Sequence, residues 1–245
     1  MIYGLSDELV ELKEKLIKQF LESGLSKEDA YRQAMLAIKR SEIGSNKRKL
    51  VFIHRGEWLE TASGNRLPIV VYDLITARLC TIWESAENGV WNTLKPLDMF
   101  EILVGSNEDR IFLREVSASS IKKVGKFDPK EFRNSPDYKT LSEIASIRED
   151  LNHIITEGDV LYNPKETSVG SLRITITDIY NDPGEIFTVF VNPDNLYEEI
   201  MERDRILIIG NVRYNEDRLA NAYTINARLV TKIEPPSLEE AGIEL

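Results

Sequence analysis

Residues 67–74 and 78–84 are two short runs rich in apolar and β-branched side chains, separated by the turn Ile75-Thr76-Ala77, and they predict a β-hairpin. The second strand of this hairpin places Leu79, Thr81 and Trp83 on one face, opposite the face that enters the core. An indole on the outer face of a small barrel can stack on a nucleobase, and cations around it can contact phosphates. The spacing therefore makes Trp83 a candidate base-stacking residue.

Other aromatic and cationic side chains fall near the same face by the same alternation. Phe112 and Arg114 alternate with inward-facing neighbours in a later strand, and several cations flank the first strand or its loop. A core position is the alternative interpretation for each aromatic residue, and a solvated linker is the alternative for the basic run at 47–49. The candidate nucleic-acid-binding residues are Trp83, Phe112, Trp58, Arg55, Arg66, Leu79, Thr81, Arg114, Lys47, Arg48 and Lys49.

Catalytic and metal-binding patterns are absent from the sequence. It contains no glycine-rich phosphate loop and no supported Ser/His/Asp arrangement. The single cysteine, Cys80, and the two histidines, His54 and His153, are too few for a structural zinc site. We expect no catalytic residue, no metal and no cofactor, and we rank an enzyme with an accessory barrel last.

The net charge of −10 argues at first against a nucleic-acid partner. The charge is unevenly distributed along the chain. Residues 46–126 carry 12 basic and 10 acidic side chains, whereas 156–233 carry 8 and 13, and 234–245 carry 0 and 4. The excess acidity therefore lies in the C-terminal half, and the first strand-rich region is compatible with phosphate binding.

Two helices and then a group of strands must position these side chains. Residues 1–45 predict a helical hairpin, with Ser26 and Asp29 forming a capping box at the second helix. Residues 46–126 predict five short strands, at Leu50–Leu59, Leu67–Leu74, Arg78–Glu84, Met99–Val104 and Arg110–Val116. The long insert between the third and fourth strands, with Trp91 as a plug, is typical of the Greek-key barrel called the OB-fold.

A connector and a second barrel are predicted after this region. The pattern of residues 127–155 predicts a connector with a helix near Leu141–His153. The pattern of 156–233 predicts a second OB-fold with a short helix at Asn195–Arg203. The aromatics Phe187, Tyr214 and Tyr223 are expected to face outward. The tail 234–245 is acidic. The fold class is therefore mainly β with α, consisting of two OB-fold Greek-key β-barrels preceded by an N-terminal helical hairpin.

The 66–84 hairpin resembles strands 2 and 3 of replication protein A and of archaeal single-stranded DNA-binding proteins. Val71-Tyr72-Asp73 and Thr81-Ile82-Trp83-Glu84 match a strand ending in Val-x-Asp and a strand ending in Leu-Trp-Asp or similar. Leu94-Lys-Pro-Leu-Asp98 stands where the family has Leu-x-x-Gly-Asp. Ile75-Thr76-Ala77 replaces the family's Thr-Gly turn, and Leu97 replaces its glycine, so the turn geometry is expected to differ. The resemblance covers 50–124 well and 156–233 only as an OB pattern, and it implies base stacking by Trp83.

The sequence as a whole predicts a single-stranded DNA-binding protein of replication, repair or recombination, with little sequence preference and affinity that falls with salt. The alternatives are an RNA-binding OB-fold factor and a protein-interaction scaffold of a replication or repair complex. Expected partners are single-stranded DNA or RNA, and replication or repair proteins that contact the helices, the acidic barrel or the tail; an oligomer is compatible with the sequence. No segment has the length and apolarity of a membrane span, so we expect a cytoplasmic, nucleoid-associated protein.

Overall fold

The computed structural model describes residues 7–27, 29–31, 33–34, 37, 47–61, 64–84, 90–103, 121–180, 182–216 and 222–235. This part of the chain is mainly β with few helices, as the sequence predicts, and it forms two compact units, Met1–Pro136 and Asp137–Leu245. None of its helices combines the length and apolarity needed to cross a membrane.

The N-terminal segment begins with helix α1, Asp7–Glu22. Gly24 ends the helix in the left-handed conformation (φ +88°). The Gly24 amide donates a hydrogen bond to the Leu21 carbonyl and the Leu25 amide donates to the Phe20 carbonyl, which together form a Schellman motif. The described residues between 27 and 37 are also helical, as the hairpin prediction requires. The Asp29 amide donates to the Ser26 hydroxyl at 3.1 Å, which confirms Ser26 as the N-cap, and that hydroxyl donates to the Asp29 carboxylate at 2.7 Å.

The described part of the first unit contains six strands: β1 Lys47–Arg55, β2 Leu59–Thr61, β3 Gly64–Asp73, β4 Arg78–Glu84, β5 Asp98–Leu103 and β6 Lys122–Lys126. The five long strands lie in the order β4-β3-β1-β5-β6, and their pairings are antiparallel. This is the OB-fold order. The predicted strand Arg110–Val116 lies outside the described residues. Within the described part, Lys122–Lys126 is the strand that follows and pairs with β5.

One face of this sheet forms the interior of the first barrel. Ile69 and Val71 on β3, and Cys80 and Ile82 on β4, point toward that core, which fixes the opposite parity as the outer face. Trp91, in a 3-10 helix at Val90–Thr93, is buried and meets Phe100 edge to face at 5.8 Å. The predicted role of Trp91 as a plug is therefore confirmed.

The segment between the barrels differs from the prediction. Helix α2 spans only Leu141–Ile147, because Arg148 adopts the left-handed conformation (φ 52°) and ends it. Leu151, which continues the helical apolar stripe in the sequence, instead begins strand β7, Leu151–Val160. The predicted helix Leu141–His153 is thus wrong in its second half.

The second unit forms a closed barrel. Its strands are β7, β8 Lys165–Glu166, β9 Leu172–Asp178, β10 Asp182–Val191, β11 Arg205–Tyr214 and β12 Tyr223–Lys232. The ring of pairings runs β7-β9-β10-β12-β11 and back to β7, and β10 pairs with β12 in parallel. This closed order is that of an OB-fold, which confirms the second predicted barrel.

Three expectations about this barrel are wrong. Phe187 and Tyr223 are buried and stack on each other at 4.9 Å, so they do not face solvent; Tyr214 is half-buried beside Tyr223. The pairing of β9 with β10 shifts register between Asp182 and Phe187, and this shift changes which side chains face inward. The helix predicted at Asn195–Arg203 is reduced to a 3-10 turn at Pro193–Asn195.

A buried ion network joins strands β7, β9 and β11. The Arg205 guanidinium is 2% exposed and lies 3.1 Å from Glu157, 2.8 Å from Asp159 and 3.4 Å from Asp178. The Arg205 Cζ atom lies 5.0 Å from the centroid of the Tyr180 ring. The three carboxylates surround one cation, so Arg205 is needed to keep these negative charges paired in the folded barrel.

Candidate nucleic-acid interface

The outer face of the first barrel exposes Trp83. This indole is 44% exposed, whereas Ile82 beside it is buried in the core. Trp83 pairs with Pro68 across the β3–β4 ladder. Arg66, which precedes Pro68 by two residues in β3, pairs with Leu59 on β2. Alternation along β3 puts these four residues on one face. We call Leu59, Arg66, Pro68 and Trp83 the Trp83 patch.

The Trp83 patch has the composition of a base-stacking surface. Leu59 and Trp83 are its two exposed apolar side chains, with 46% and 44% of their surfaces accessible. Arg66 is half-exposed and forms no ion pair with any residue in the described ranges. A flat indole beside an unpaired guanidinium can hold one base by stacking and a neighbouring phosphate by charge.

The other end of the same outer face is covered by the chain itself. Tyr72 packs against Phe127 and Phe132, with ring centroids 5.6 and 4.8 Å apart. Phe132 belongs to a 3-10 helix, Pro129–Asn134, and the Ser135 hydroxyl after that helix donates to the Ala77 carbonyl at 2.7 Å. These contacts close the hairpin end of the face to solvent.

Leu79 lies at this covered end, opposite Tyr72 on the ladder. The sequence predicts its outward direction, and the ladder agrees, but the side chain is only 8% exposed. The expectation of an exposed Leu79 is therefore wrong, because alternation along a strand carries no information about a distant segment packed over it. The accessible site on this barrel is the Trp83 end of the face.

The turn between β3 and β4 departs from a Thr-Gly turn in a way that the structure explains. Asp73 accepts hydrogen bonds from the Ile75 amide at 2.9 Å and from Thr76, and Ala77 adopts the left-handed conformation at φ 51°. Burial raises the pKa of the Asp73 carboxyl, and the hydrogen bonds act against that rise. The side chain of Asp73 and the unusual φ of Ala77 thus replace the missing glycine, and the hairpin is retained.

A second departure lies before β5. Leu97, the residue expected to change the turn geometry, has φ +68°, a conformation in which glycine is favoured. The buried side chain and two backbone hydrogen bonds hold it: its amide donates to the Phe52 carbonyl and its carbonyl accepts from the Phe127 amide, both at 2.8 Å. The chain therefore keeps the glycine-like turn with a leucine, because tertiary contacts offset the strain.

Asp98, which follows this turn, has a structural role. Its carboxylate lies 2.8 Å from both Lys123 and Lys126 on β6 and accepts the Lys95 amide at 2.9 Å. Burial alone would raise the pKa of Asp98, but the hydrogen bonds from the two lysines and the amide outweigh it and hold the pKa below its ordinary value. These two lysines are therefore engaged within the barrel.

Among the remaining predicted residues, Thr81 lies two positions from Trp83 on the same outer face of β4, and the others are not brought together with Trp83. Trp58 is half-buried and packs against the barrel core, and Arg55 and Thr81 are half-buried on β1 and β4. The basic run is not a linker but the start of β1, where Arg48 and Lys49 pair with β5 and Lys49 lies 3.9 Å from Glu101. Lys47 occupies the first position of β1. Phe112 and Arg114 lie outside the described residues.

The second barrel carries a groove on the corresponding outer face of β9 and β10. It has a volume of about 440 Å³. Lys165 and Arg173 are direct partners across the β8–β9 pairing, and Thr175 and Thr188 are partners across β9–β10. Tyr162 and Ile186 are exposed, at 62% and 46%. The residues that line this surface, which we call the Arg173 groove, are Leu161, Tyr162, Lys165, Arg173, Thr175, Ile186 and Thr188.

Sequence reasoning missed this groove. Its cations are eight positions apart, and a two-residue strand such as β8 has no readable period. The available signal was the Ser168-Val-Gly170-Ser171 turn, in which Gly170 takes φ +80° and the Gly170 amide donates to the Thr167 carbonyl at 3.1 Å. That turn brings Lys165 beside Arg173.

These two surfaces offer aromatic rings, aliphatic side chains and cations, which suit binding. In the part of the chain that the structure describes, no group of three His, Cys, Asp or Glu side chains has the arrangement of a metal site.

No protein-family model and no curated protein matches the sequence. Solved structures that resemble the chain include the replication protein A heterotrimer bound to single-stranded DNA, with TM-score 0.40 and 9% identity over 80% of this chain and 50% of that one. The p204 HINb domain has TM-score 0.36 and 13% identity over 76% and 95%. The Ifi202 HINa domain, in complex with 20-bp double-stranded DNA, has TM-score 0.33 and 10% identity over 76% and 94%. Because these TM-scores are low, the fold assignment rests on the strand order.

Proposed function

We propose that the protein binds single-stranded DNA without strong sequence preference and acts in replication, repair or recombination. It acts as a binding protein and not as an enzyme, in the cytoplasm and in association with the nucleoid. The observation that carries the proposal is the exposed indole of Trp83 on the outer face of an OB barrel, beside Arg66, which has no ion-pair partner in the described ranges. Bases from any sequence present a π-face, so stacking on Trp83 gives sequence-tolerant binding.

The exposed indole of Trp83 favours single strands over duplex DNA. An indole stacks on a base only when the base face is accessible, and in a duplex the bases are stacked on one another. Only the Trp83 end of this face is accessible, because the other end is covered by the chain, so we expect the first barrel to hold few nucleotides.

The first experiment titrates the full chain with oligo-dT, matched RNA and duplex DNA at two salt concentrations, followed by tryptophan fluorescence and gel shift. We expect quenching and a shift with oligo-dT that weaken at high salt. Absence of both signals with single strands at low salt would overturn the proposal.

Substitution of Trp83 tests the site. Stacking contributes about 1–3 kcal/mol per base, so Trp83→Ala should weaken binding roughly 5- to 150-fold while leaving the fold intact. Tyr197→Ala is the matched control, because Tyr197 is an aromatic side chain of similar exposure, 42%, in the other unit. Equal affinity of the Trp83 and Tyr197 variants would remove Trp83 from the site.

An RNA ligand is the second candidate, since stacking on an indole does not depend on the sugar. Tighter binding of matched RNA than of oligo-dT in the same titration would favour it. Protein partners in a replication or repair complex, reached through the helices, the second barrel or the acidic tail, are a third part of the proposal. A pull-down of such partners that survives nuclease treatment would support the scaffold role.

A further inference from the structure

We infer that the Arg173 groove of the acidic second barrel is a phosphate-binding site for a nucleic-acid strand, and that it supplies salt-sensitive contacts. The inference rests on the proposed function and deepens it. The ligand it assigns is the sugar–phosphate backbone of a single strand, with Tyr162 available for a base.

The charge state of the groove is the first observation. Lys165 and Arg173 are both exposed, and neither forms an ion pair or a side-chain hydrogen bond with any residue that the structure describes. None of the seven residues that line the groove is acidic. Two neighbouring cations without a carboxylate repel each other, and an anion between them would remove that repulsion.

Four other cations of this barrel lie close to carboxylates, whereas Arg228, which is half-buried on β12, forms no ion pair with any described residue. Arg205 is enclosed by three carboxylates, Arg213 lies 2.8 Å from Asp150, and Lys232 lies 3.0 Å from Asp204. Arg203 lies 4.0 Å from Glu202. In a region with 8 basic and 13 acidic side chains, two adjacent exposed cations that have no partner among the described residues are a specific arrangement on the ligand face of an OB barrel.

The backbone around the groove is well held. The Leu161 amide donates to the Thr175 carbonyl at 2.9 Å, and Asn163 accepts the Glu202 amide at 2.9 Å, so Tyr162 lies between two anchored positions. The β8–β9 turn is closed by the Thr167 amide, which donates to the Ser171 carbonyl at 2.8 Å. The relative positions of Tyr162, Lys165 and Arg173 are therefore set before a ligand binds, which lowers the entropic cost of binding.

An acidic protein segment is the other ligand with the right charge. The nucleic acid is favoured because Tyr162 is 62% exposed beside the cations and because the hydroxyls of Thr175 and Thr188 can donate to phosphate oxygens. The cations, the ring and the hydroxyls together match a strand that alternates bases with phosphates.

The test compares the salt dependence of oligo-dT binding for the full chain, the double variant Lys165→Gln/Arg173→Gln and the control Arg203→Gln/Arg213→Gln. The control removes the same charge from exposed positions of the same barrel. For single strands the slope of log K against log salt is about −0.7 per phosphate contact. We expect the groove variant to lose about 1.4 of slope and the control to keep the slope of the wild type.

The outcomes separate this inference from the proposed function. Wild-type binding with an unchanged slope in the groove variant would overturn the inference and leave the proposed function standing. No binding by the wild type at low salt would overturn both. Polyglutamate is the probe for an acidic partner: binding that depends on Lys165 and Arg173 for polyglutamate but not for oligo-dT would also overturn the inference.

Discussion

The outer faces of the two barrels differ in what the chain leaves open. On the first barrel, Phe127 and Phe132 cover the hairpin end and leave Trp83 exposed at the other. On the second barrel, the corresponding face is open as a groove of about 440 Å³, where Lys165 and Arg173 have no ion-pair partner among the described residues. The open part of the outer face thus presents two apolar side chains and one cation, Arg66, on the first barrel, and two adjacent cations on the second. Net charge counted along a sequence does not locate the charges that are available to a ligand.

Buried charge is also handled differently in the two units. Asp98 in the first unit is paired with two lysines that stay half-exposed, whereas Arg205 in the second unit is enclosed with three buried carboxylates. If Asp98 loses its charge, water can solvate the two half-exposed lysines, whereas water has little access to the buried carboxylates around Arg205. We therefore expect charge removal to destabilise the second unit more than the first.

The largest expected effect is that of Arg205→Met. Removal of the cation leaves Glu157, Asp159 and Asp178 buried without a counter-charge, and breaking such a buried network costs about 3–5 kcal/mol. Denaturant unfolding followed by circular dichroism measures this loss. All three tryptophans lie in the first unit, so their fluorescence reports on that unit separately. A loss below about 1 kcal/mol would contradict the structural role of Arg205.

Asp98→Asn should cost less, roughly 2 kcal/mol, because it weakens hydrogen bonds to charged groups and leaves only half-exposed lysines unpaired. The effect should depend on pH. The folded state holds the pKa of Asp98 below its unfolded value, so the contribution is present above about pH 4 and is lost as the pH falls through the folded value. The stability difference between wild type and variant should therefore shrink in acid. A difference that grows in acid would contradict the assignment.

Glycine substitutions at two left-handed positions should give the smallest effects. Arg148→Gly at the end of α2 should stabilise the second unit by up to about 1 kcal/mol, because Arg148 is exposed and glycine is favoured at this cap. Ala77→Gly in the first unit should gain less, since the buried methyl of Ala77 is lost. Thermal unfolding measures both. A larger gain for Ala77→Gly than for Arg148→Gly would reverse this comparison.

Much of the fold could be predicted from local pattern. The run 78–84 predicted the bounds of β4, and the two-residue period of a strand predicted the outward direction of Trp83, because successive side chains point to opposite faces. The burial of Leu79 could not be read in this way, because Phe127 and Phe132 cover that end of the face from about fifty residues away. The start of β7 was hidden by an apolar stripe that continues past the cap at Arg148. The Arg173 groove was hidden by the shortness of β8.

The position of a single strand on the protein tests the central claim most directly. The full chain can be photo-crosslinked to an oligo-dT that carries 5-iodouracil, and the modified residues can be mapped by mass spectrometry. We predict crosslinks at Trp83 and Tyr162, the exposed aromatic side chains of the two outer faces. Crosslinks confined to the helical segment 7–37 or to Tyr197, with neither Trp83 nor Tyr162 modified, would contradict the account.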